Sequence, residues 1–202
     1  GKISEFLTGT KVLEKVESEI NGKITVVRNI AFGTYIQVNN LTQSGGIIKN
    51  IWDKTLRKVK SNKKQVTSCL VLGLGGGSVV GVVKKYWPEA KITAVDIDPI
   101  MVDLGKKYLG LGSVDITITD AYDFLNQNPK FQNYFDLVLV DLYVGDEYPK
   151  KFESENYIQL VSLSTLSSRP KGTVLASGGV AVFNRLYYGE KRSQAVKFGE
   201  KL

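Results

Sequence analysis

Short polar–apolar alternations dominate the first 40 residues of the chain. Residues 23–28 and 33–38 are rich in β-branched and aromatic side chains, and residues 11–19 alternate in part. Asn21-Gly22 is a strong hairpin signal, and Asn39-Asn40 marks a further turn. Together these features predict a small antiparallel β meander of about three strands.

Helical spacing replaces this alternation in the next part of the chain. Apolar residues recur every three to four positions between residues 45 and 60, which predicts a helix, and residues 61–64 form a polar linker. From residue 65 onward, apolar runs and helical patterns alternate. The predicted strands cover residues 66–73, 91–96, 114–119, 135–141 and 172–177. The predicted helices cover residues 77–87, 99–109, 121–128 and 153–168.

The alternation predicts an α/β fold: a Rossmann-like, mostly parallel and doubly wound sheet, preceded by the β meander. Nearly continuous apolar runs such as residues 135–140 are typical of parallel strands covered on both faces. We divide the chain into the meander (1–43), a connecting helix and linker (44–64) and a Rossmann-like domain (65–202). Residues 190–202 look helical and no strand follows them. The chain is therefore naturally short, or shortened, or completed by another chain.

A glycine cluster lies between the first predicted strand of the Rossmann-like domain and its helix. Residues 73–77 include glycine at every position except Leu74, and glycine lets a backbone turn sharply and approach a ligand closely. Asp96 ends the second strand 23 positions after Gly73, close to the spacing of roughly 20 for a carboxylate that holds ribose hydroxyls. The pattern predicts a nucleotide-binding βαβ unit, and a tight turn without a ligand is the alternative.

Acidic residues follow successive predicted strands at Asp96, Asp98, Asp120 and Asp141. Ligands of open α/β sheets bind at these carboxyl ends. Asp96 suits the ribose, Asp120 with Ala121 suits the adenine edge, and Asp141 faces the reacting end of a ligand. Asp120 also fits the simpler role of a helix N-cap.

Composition restricts the chemistry available to such a site. The chain of 202 residues has no histidine, which excludes Ser-His-Asp and Cys-His catalysis and the usual histidine metal sites. A general base must therefore be Asp, Glu, Tyr or Lys. Cys69 is the only cysteine, so an intrachain disulfide and a cysteine metal cluster are excluded, and we expect no metal.

The formal net charge of +7 is concentrated in one stretch of the chain. Seven basic residues lie within 16 positions: Lys49, Lys54, Arg57, Lys58, Lys60, Lys63 and Lys64. Trp52 is the only aromatic residue among them, so we interpret the stretch as a solvated face rather than a nucleic-acid site. No apolar run reaches the roughly 18 residues of a membrane span, and residues 1–10 lack a signal-peptide pattern, so we expect a cytoplasmic protein.

Several motifs together resemble the spermidine synthase family and its methyltransferase-like relatives, with similarity over roughly residues 10–185. The meander, which ends in Val38-Asn39-Asn40-Leu41-Thr42-Gln43-Ser44, is similar to the entry domain of the polyamine branch. The other motifs are Leu70-Val71-Leu72-Gly73-Leu74-Gly75-Gly76-Gly77, Ala94-Val95-Asp96-Ile97-Asp98-Pro99, Thr119-Asp120-Ala121 and Tyr134-Phe135-Asp136-Leu137-Val138-Leu139-Val140-Asp141.

This resemblance implies a class I methyltransferase fold and S-adenosylmethionine, or its decarboxylated form, as co-substrate. Gly73, Gly75 and Gly77 would lie under the amino-acid or aminopropyl end of the nucleoside. The resemblance places the remaining contacts at Gln43, Asp96, Ile97, Asp120 and Ala121, with the ribose at Asp96 and the adenine at Asp120.

The chain departs from the polyamine synthase pattern at two acids. Gly76 stands where that family has the acid that helps to hold the cationic donor. Val144 stands where it has the base that deprotonates the attacking amine. Asp146 and Tyr143 are candidates to replace this base, and with Asp141 they form our predicted catalytic set.

Four functions fit these features. Methyl transfer to an unknown small acceptor, with an amine among the candidates, is preferred because it depends on positioning rather than on a dedicated base. A polyamine aminopropyltransferase is the alternative, and a non-catalytic nucleoside-binding subunit is a third reading. An NAD-dependent dehydrogenase is the weakest, because it leaves the meander unexplained. A homo-oligomer is left open.

Overall fold

The computed structural model describes residues 9–62, 65–165, 178–186 and 191–202. Its strands are β1 (Thr10–Ser18), β2 (Gly22–Asn29), β3 (Gly33–Val38), β4 (Leu41–Gly45), β5 (Ser68–Leu72), β6 (Lys91–Asp96), β7 (Asp115–Ile118), β8 (Leu137–Val140) and β9 (Val180–Phe183). Its α-helices are α1 (Gly46–Asn62), α2 (Ser78–Tyr86), α3 (Pro99–Tyr108), α4 (Ala121–Gln127), α5 (Glu155–Ser164) and α6 (Lys191–Gly199). Short 3₁₀ turns cover Pro129–Phe131 and Lys150–Glu153.

The first four strands form an antiparallel sheet in the order β1-β2-β3-β4. The predicted hairpin at Asn21-Gly22 is confirmed, because Ser18 pairs with Gly22 across the β1–β2 turn. Asn39 and Asn40 both have positive φ, 49° and 66°, as a tight β3–β4 turn requires. The prediction of about three strands was one short.

The other five strands form a parallel sheet in the order β7-β6-β5-β8-β9. The chain runs outward from β5 to β7 and then returns to the other side of β5, so the order reverses between β5 and β8. Such a reversal opens a crevice at the carboxyl ends of the strands. This arrangement confirms the predicted Rossmann-like fold. The predicted strand over residues 172–177 lies outside the described residues.

Helix positions follow the predictions closely, with one exception. The helix predicted over 153–168 begins later, as α5, and ends at Ser164. Ser154 is its N-cap and accepts a hydrogen bond from the Tyr157 N–H group, while the preceding residues form a 3₁₀ turn. No helix among the described residues has the length and apolar character needed to cross a bilayer.

Apolar packing joins the two sheets. One face of the parallel sheet packs with α1 and α2 around residues such as Leu56 and Val83, and the other face packs with α4 and α5 around Phe135 and Tyr157. Ile24, Val26, Ile36 and Val38 of the antiparallel sheet pack on Met101 and Leu104 of α3. The meander is thereby held beside the carboxyl ends of the parallel strands.

Candidate nucleoside-binding site

A cavity of about 650 Å³ lies at the carboxyl ends of the parallel strands. Its walls also include residues of β4 and α1, so the meander and the connecting helix cover the crevice. Its volume is in the range of sites that bind small molecules and cofactors. Most predicted site residues line it: Gln43, Gly73, Gly75, Asp96, Ile97, Asp120, Ala121, Asp141 and Tyr143.

Gly73 allows two strand ends to approach each other closely. Its φ is 85°, and a Cβ at this position would lie 2.0 Å from the backbone oxygen of Asp141. Its N–H group donates to the Val95 oxygen at 2.9 Å. A glycine is therefore required here by packing as well as by conformation.

Gly77 lies outside the cavity, contrary to its predicted place under the ligand. It has a φ of 81° as the N-cap of α2, and a Cβ there would lie 2.5 Å from the Leu111 side chain. Gly77 lines a second depression of about 660 Å³ instead. Its role in this arrangement is to let α2 start close to Leu111.

Gly76 is buried beneath the meander and α3. Its N–H group donates to Ser44 Oγ at 2.7 Å. A Cβ at Gly76 would lie 2.8 Å from Ile36 Cδ1, 2.8 Å from Leu109 Cδ1 and 2.9 Å from Ser44 Cβ. The position of the polyamine synthase acid therefore has no space for a side chain.

Asp96 lies at the end of β6 with 9% of its surface exposed. Its two oxygens accept N–H groups of Gly75 at 2.6 Å and Asp98 at 2.8 Å. Burial raises the pKa of this carboxyl, and backbone hydrogen bonds from Asp98, Gly75 and Leu74 oppose the rise. A carboxylate has about four lone-pair sites, so Asp96 retains acceptor capacity toward the cavity that it lines. Ile97 beside it is 42% exposed.

Asp98 has a structural role instead. It caps α3 by accepting N–H groups of Ile100 and Met101. Its other oxygen accepts hydrogen bonds from Ser18 Oγ at 2.5 Å and Asn21 Nδ2 at 2.7 Å. Asp98 thus ties the first hairpin to the parallel sheet.

Asp120 combines both roles considered for it. Its Oδ1 caps α4 by accepting N–H groups of Tyr122 and Asp123. Its Oδ2 faces the Lys151 ammonium at 2.5 Å, and both residues line the cavity. Sequence reasoning missed Lys151, which lies 31 positions away in a 3₁₀ turn.

Asp141 follows β8 and is held by neutral groups. Asn184 donates from Nδ2 to its Oδ1 at 2.9 Å, and the Trp52 indole also hydrogen-bonds the carboxylate. Burial raises the pKa of Asp141 to about 6, against these two hydrogen bonds. A carboxylate with this pKa is well suited to accept a proton near neutral pH. The sequence pattern identified Trp52 only as one of the apolar residues of α1 and gave no sign of its hydrogen bond to Asp141.

The other two predicted catalytic residues differ in position. Tyr143 lines the cavity, its hydroxyl oxygen accepts the Leu186 N–H group at 2.7 Å, and burial raises its pKa. A raised pKa keeps Tyr143 protonated, so it is a poor base. Asp146 is exposed outside the cavity and pairs with Lys191 at 3.2 Å. Of the three predicted catalytic residues, Asp141 and Tyr143 therefore line the cavity and Asp146 does not.

Gln43 connects the meander to the loop after β8. Its Nε2 donates to the Gly145 oxygen at 2.8 Å, and Val144 of this loop lines the cavity. The wall that α1 contributes is apolar, with Ile47 and Ile51 exposed by 55% and 45%. The described residues contain no cluster of three or more potential metal ligands.

Fold and site together define a Rossmann-like protein whose cavity at the carboxyl ends of the parallel strands is covered by a β meander. A family model described as spermine/spermidine synthase domain matches residues 54–166. The chain belongs to this family, as the sequence motifs predicted.

Two relatives illustrate the two branches of the resemblance. An eEF1A lysine and N-terminal methyltransferase homolog from Drosophila melanogaster is 38% identical over 143 residues, which is 69% of this chain and 20% of the relative. A probable polyamine aminopropyl transferase from Bifidobacterium longum is 26% identical over 133 residues, 66% of this chain and 28% of the relative. The chain thus spans between 20% and 28% of the length of these relatives.

A solved structure with the same fold comes from the second branch. A probable spermidine synthase from Corynebacterium glutamicum superposes with a TM-score of 0.65 at 16% identity, covering 86% of this chain and 62% of that one. The match agrees with the predicted arrangement of meander and parallel sheet.

The described residues fit an adenosyl nucleoside. Gly75 lines the cavity between β5 and α2, and a Cβ there would lie 2.9 Å from Ser44 Oγ, so the loop approaches the meander closely where it borders the cavity. Asp96 is next to this loop, and the apolar residues Ala121 and Phe152 lie on the Asp120 side of the cavity. An apolar cavity with a few fixed polar groups is typical of such sites.

Proposed function

We propose that the chain is the donor-binding and catalytic region of an S-adenosylmethionine-dependent transferase that methylates an amine. One observation carries the choice of methyl transfer. The described acids that line the cavity are Asp96, Asp120 and Asp141, and of these Asp141 alone has neither a cationic partner nor a backbone N–H partner. A site with one available carboxylate is poorly equipped for aminopropyl transfer, where donor and acceptor both carry ammonium groups.

Gly73, Gly75 and Gln43 would hold the donor, with Asp96 at the ribose. When bound, S-adenosylmethionine supplies an electrophilic methyl group on a sulfonium. Asp141 accepts the proton that an ammonium must lose before its nitrogen has a free lone pair. Asn184 and Trp52 hold the carboxylate in place for this step.

The acceptor enters, in this proposal, beside the exposed side chains Ile47 and Ile51 of α1. An apolar entrance suits an amine on an aliphatic stem, such as a lysine side chain, better than a small dication. The methyltransferase relative from Drosophila, named for lysine and N-terminal methylation, supports this choice. Amines of a protein substrate are therefore the first acceptors to test.

Aminopropyl transfer is the second candidate function. It is supported by the family and by Asp141, whose pKa of about 6 also suits the deprotonation of a polyamine precursor. Under this alternative, the missing acids at Gly76 and Val144 must be compensated by residues outside the described part of the chain or by a partner.

Mass spectrometry of the products distinguishes the two reactions. The protein is incubated either with S-adenosylmethionine and peptides carrying lysine or a free N-terminus, or with decarboxylated S-adenosylmethionine and putrescine. We expect methylated peptide and little spermidine, and the loss of methylation in Asp141→Asn. Spermidine formation that Asp141→Asn abolishes would establish the second candidate. Binding without turnover of either donor would support a non-catalytic subunit.

A cytoplasmic location, a homo-oligomer and the absence of a nucleic-acid partner stay predictions. So does the division into regions 1–43, 44–64 and 65–202. The fourth strand of the meander, β4, extends across the first of these boundaries.

A further inference from the structure

Asp120 and Lys151 form an ion pair inside the nucleoside cavity rather than on an outer surface. The side chain of Asp120 is 13% exposed and that of Lys151 is 52% exposed, and both line the cavity. Asp120 follows β7 and Asp141 follows β8, three strand positions apart in the sheet. The pair therefore lies at the opposite end of the crevice from the proposed proton acceptor.

The surroundings of the pair suit a flat aromatic ring. Ala121, Pro149 and Phe152 line the same end of the cavity, and Phe152 is buried. The Lys151 backbone is fixed because its carbonyl oxygen accepts the Ser154 hydroxyl at 2.7 Å. Only the flexible end of the lysine side chain is free to adjust to a ligand.

The ion pair presents one hydrogen-bond acceptor and one donor side by side. Asp120 Oδ1 is used by the α4 N-terminus, so Oδ2 is the oxygen that faces Lys151 Nζ, at 2.5 Å. Adenine has a complementary edge, with its amino group as donor next to a ring nitrogen as acceptor. Proteins often read this edge with an Asn or Gln amide, which also places an acceptor beside a donor.

We propose that Lys151 is a base-reading residue: its ammonium donates to the adenine ring nitrogen beside the amino group, while Asp120 Oδ2 accepts from the amino group. The inference rests on the proposed function, because it needs an adenosyl nucleoside in the cavity. It assigns to the pair the discrimination between adenine and a 6-oxo purine. Hypoxanthine replaces the amino donor with an oxygen acceptor, which Asp120 would repel.

Calorimetric titration with two nucleosides tests this assignment without any need for turnover. The probes are 5′-methylthioadenosine and its 6-oxo counterpart 5′-methylthioinosine. The variants are Lys151→Met, which removes the donor, Lys151→Arg, which keeps one, and Lys150→Met as the matched control. Lys150 is an exposed neighbour that does not line the cavity.

We expect Lys151→Met to weaken methylthioadenosine binding about tenfold, the loss of one hydrogen bond from a charged donor in a partly exposed place. Methylthioinosine binding should change less than twofold, so the preference for adenine falls. Lys151→Arg should recover most of the affinity, and Lys150→Met should match the wild type.

Two results would overturn the assignment while the proposed function stands. Tighter methylthioadenosine binding by Lys151→Met would show that Lys151 merely competes with the ligand for Asp120. An unchanged affinity would show an ion pair without a role in recognition. If the wild-type protein binds neither nucleoside, the nucleoside site itself is wrong, and the inference falls with it.

Discussion

Replacing Asp141 with asparagine removes a half-buried negative charge and keeps the size of the side chain. The partners of this carboxylate are the neutral amide of Asn184 and the indole of Trp52. Burial raises its pKa from 3.8 to about 6, and the charge of Asp96 adds to the rise. The folded state therefore holds the Asp141 proton more tightly than the unfolded state does.

The sign of the pH dependence follows from this difference. Below the unfolded pKa of 3.8, Asp141 is protonated in both states and costs nothing. As pH rises through about 6, the folded protein must ionise a poorly solvated carboxylate, and stability is lost. At about 1.4 kcal/mol per pKa unit, the full shift corresponds to roughly 3 kcal/mol. Because water in the open cavity screens the charge, we expect about 1–2 kcal/mol in practice.

The measurement is urea denaturation of the wild type and Asp141→Asn at several pH values between 4 and 8. The variant should be more stable by about 1–2 kcal/mol at pH 7.5, and the difference should shrink toward zero near pH 4. All other titrating groups are shared, so the difference reports Asp141 together with its coupling to Asp96. Asp146→Asn is the control, since Asp146 is an exposed carboxylate on the same loop. The reasoning would be refuted if the stability difference between variant and wild type did not change with pH. It would also be refuted if the wild type became more stable relative to the variant as pH rises.

Three further substitutions and one labelling experiment test the packing. Gly73→Ala should lower the free energy of unfolding in urea by more than about 2 kcal/mol, because its Cβ would meet the Asp141 oxygen at 2.0 Å. Gly81 is exposed within α2 and has open space around it, so Gly81→Ala should raise the free energy of unfolding by about 0.5–1 kcal/mol. Equal effects at the two glycines would contradict the packing argument. Asp98→Ala should lower the free energy of unfolding by about 2–4 kcal/mol in the same assay, since a helix cap, one buried hydrogen bond and one partly buried hydrogen bond are lost. A loss under about 1 kcal/mol would show that Asp98 acts only as a helix cap. Cys69, fully buried and with a raised pKa, should react with a thiol reagent only as fast as the protein unfolds, and rapid labelling of native protein would contradict its burial.

The fold could be predicted from the sequence where the hydrophobic pattern is strong. The strands β5, β6 and β8 are apolar runs bounded by polar residues, and a parallel sheet buried on both faces needs that composition. β4 was missed because Thr42, Gln43 and Ser44 give it no apolar alternation. It is a strand because it pairs with β3, through contacts such as Ile36 with Ser44.

The site could be predicted only in part, because local motifs do not specify which side chains meet. Asp96 lies where its spacing from the glycine loop placed it, at the cavity wall. The partnership of Asp120 with Lys151 and the outward position of Asp146 depend on how the loop after β8 folds back. No periodicity in the sequence carries that information.

The two departures from the polyamine pattern differ in kind. Val144 is a change of side chain at a position that lines the cavity, so an acid could in principle be restored there. Gly76 is different, because Ile36, Ser44 and Leu109 fill the space that a side chain would need. The meander and the end of α3 would have to move before any acid could stand at position 76.

The lost and retained residues also divide by function. Both lost acids serve the ammonium groups of aminopropyl transfer, one on the donor and one on the acceptor. The features present at the cavity, the glycine turn and Asp96, serve any adenosyl nucleoside regardless of the group transferred. This division agrees with a transferase that uses an adenosyl nucleoside with an acceptor other than a polyamine precursor, and it adds to the argument from Asp141 for placing methyl transfer before polyamine synthesis.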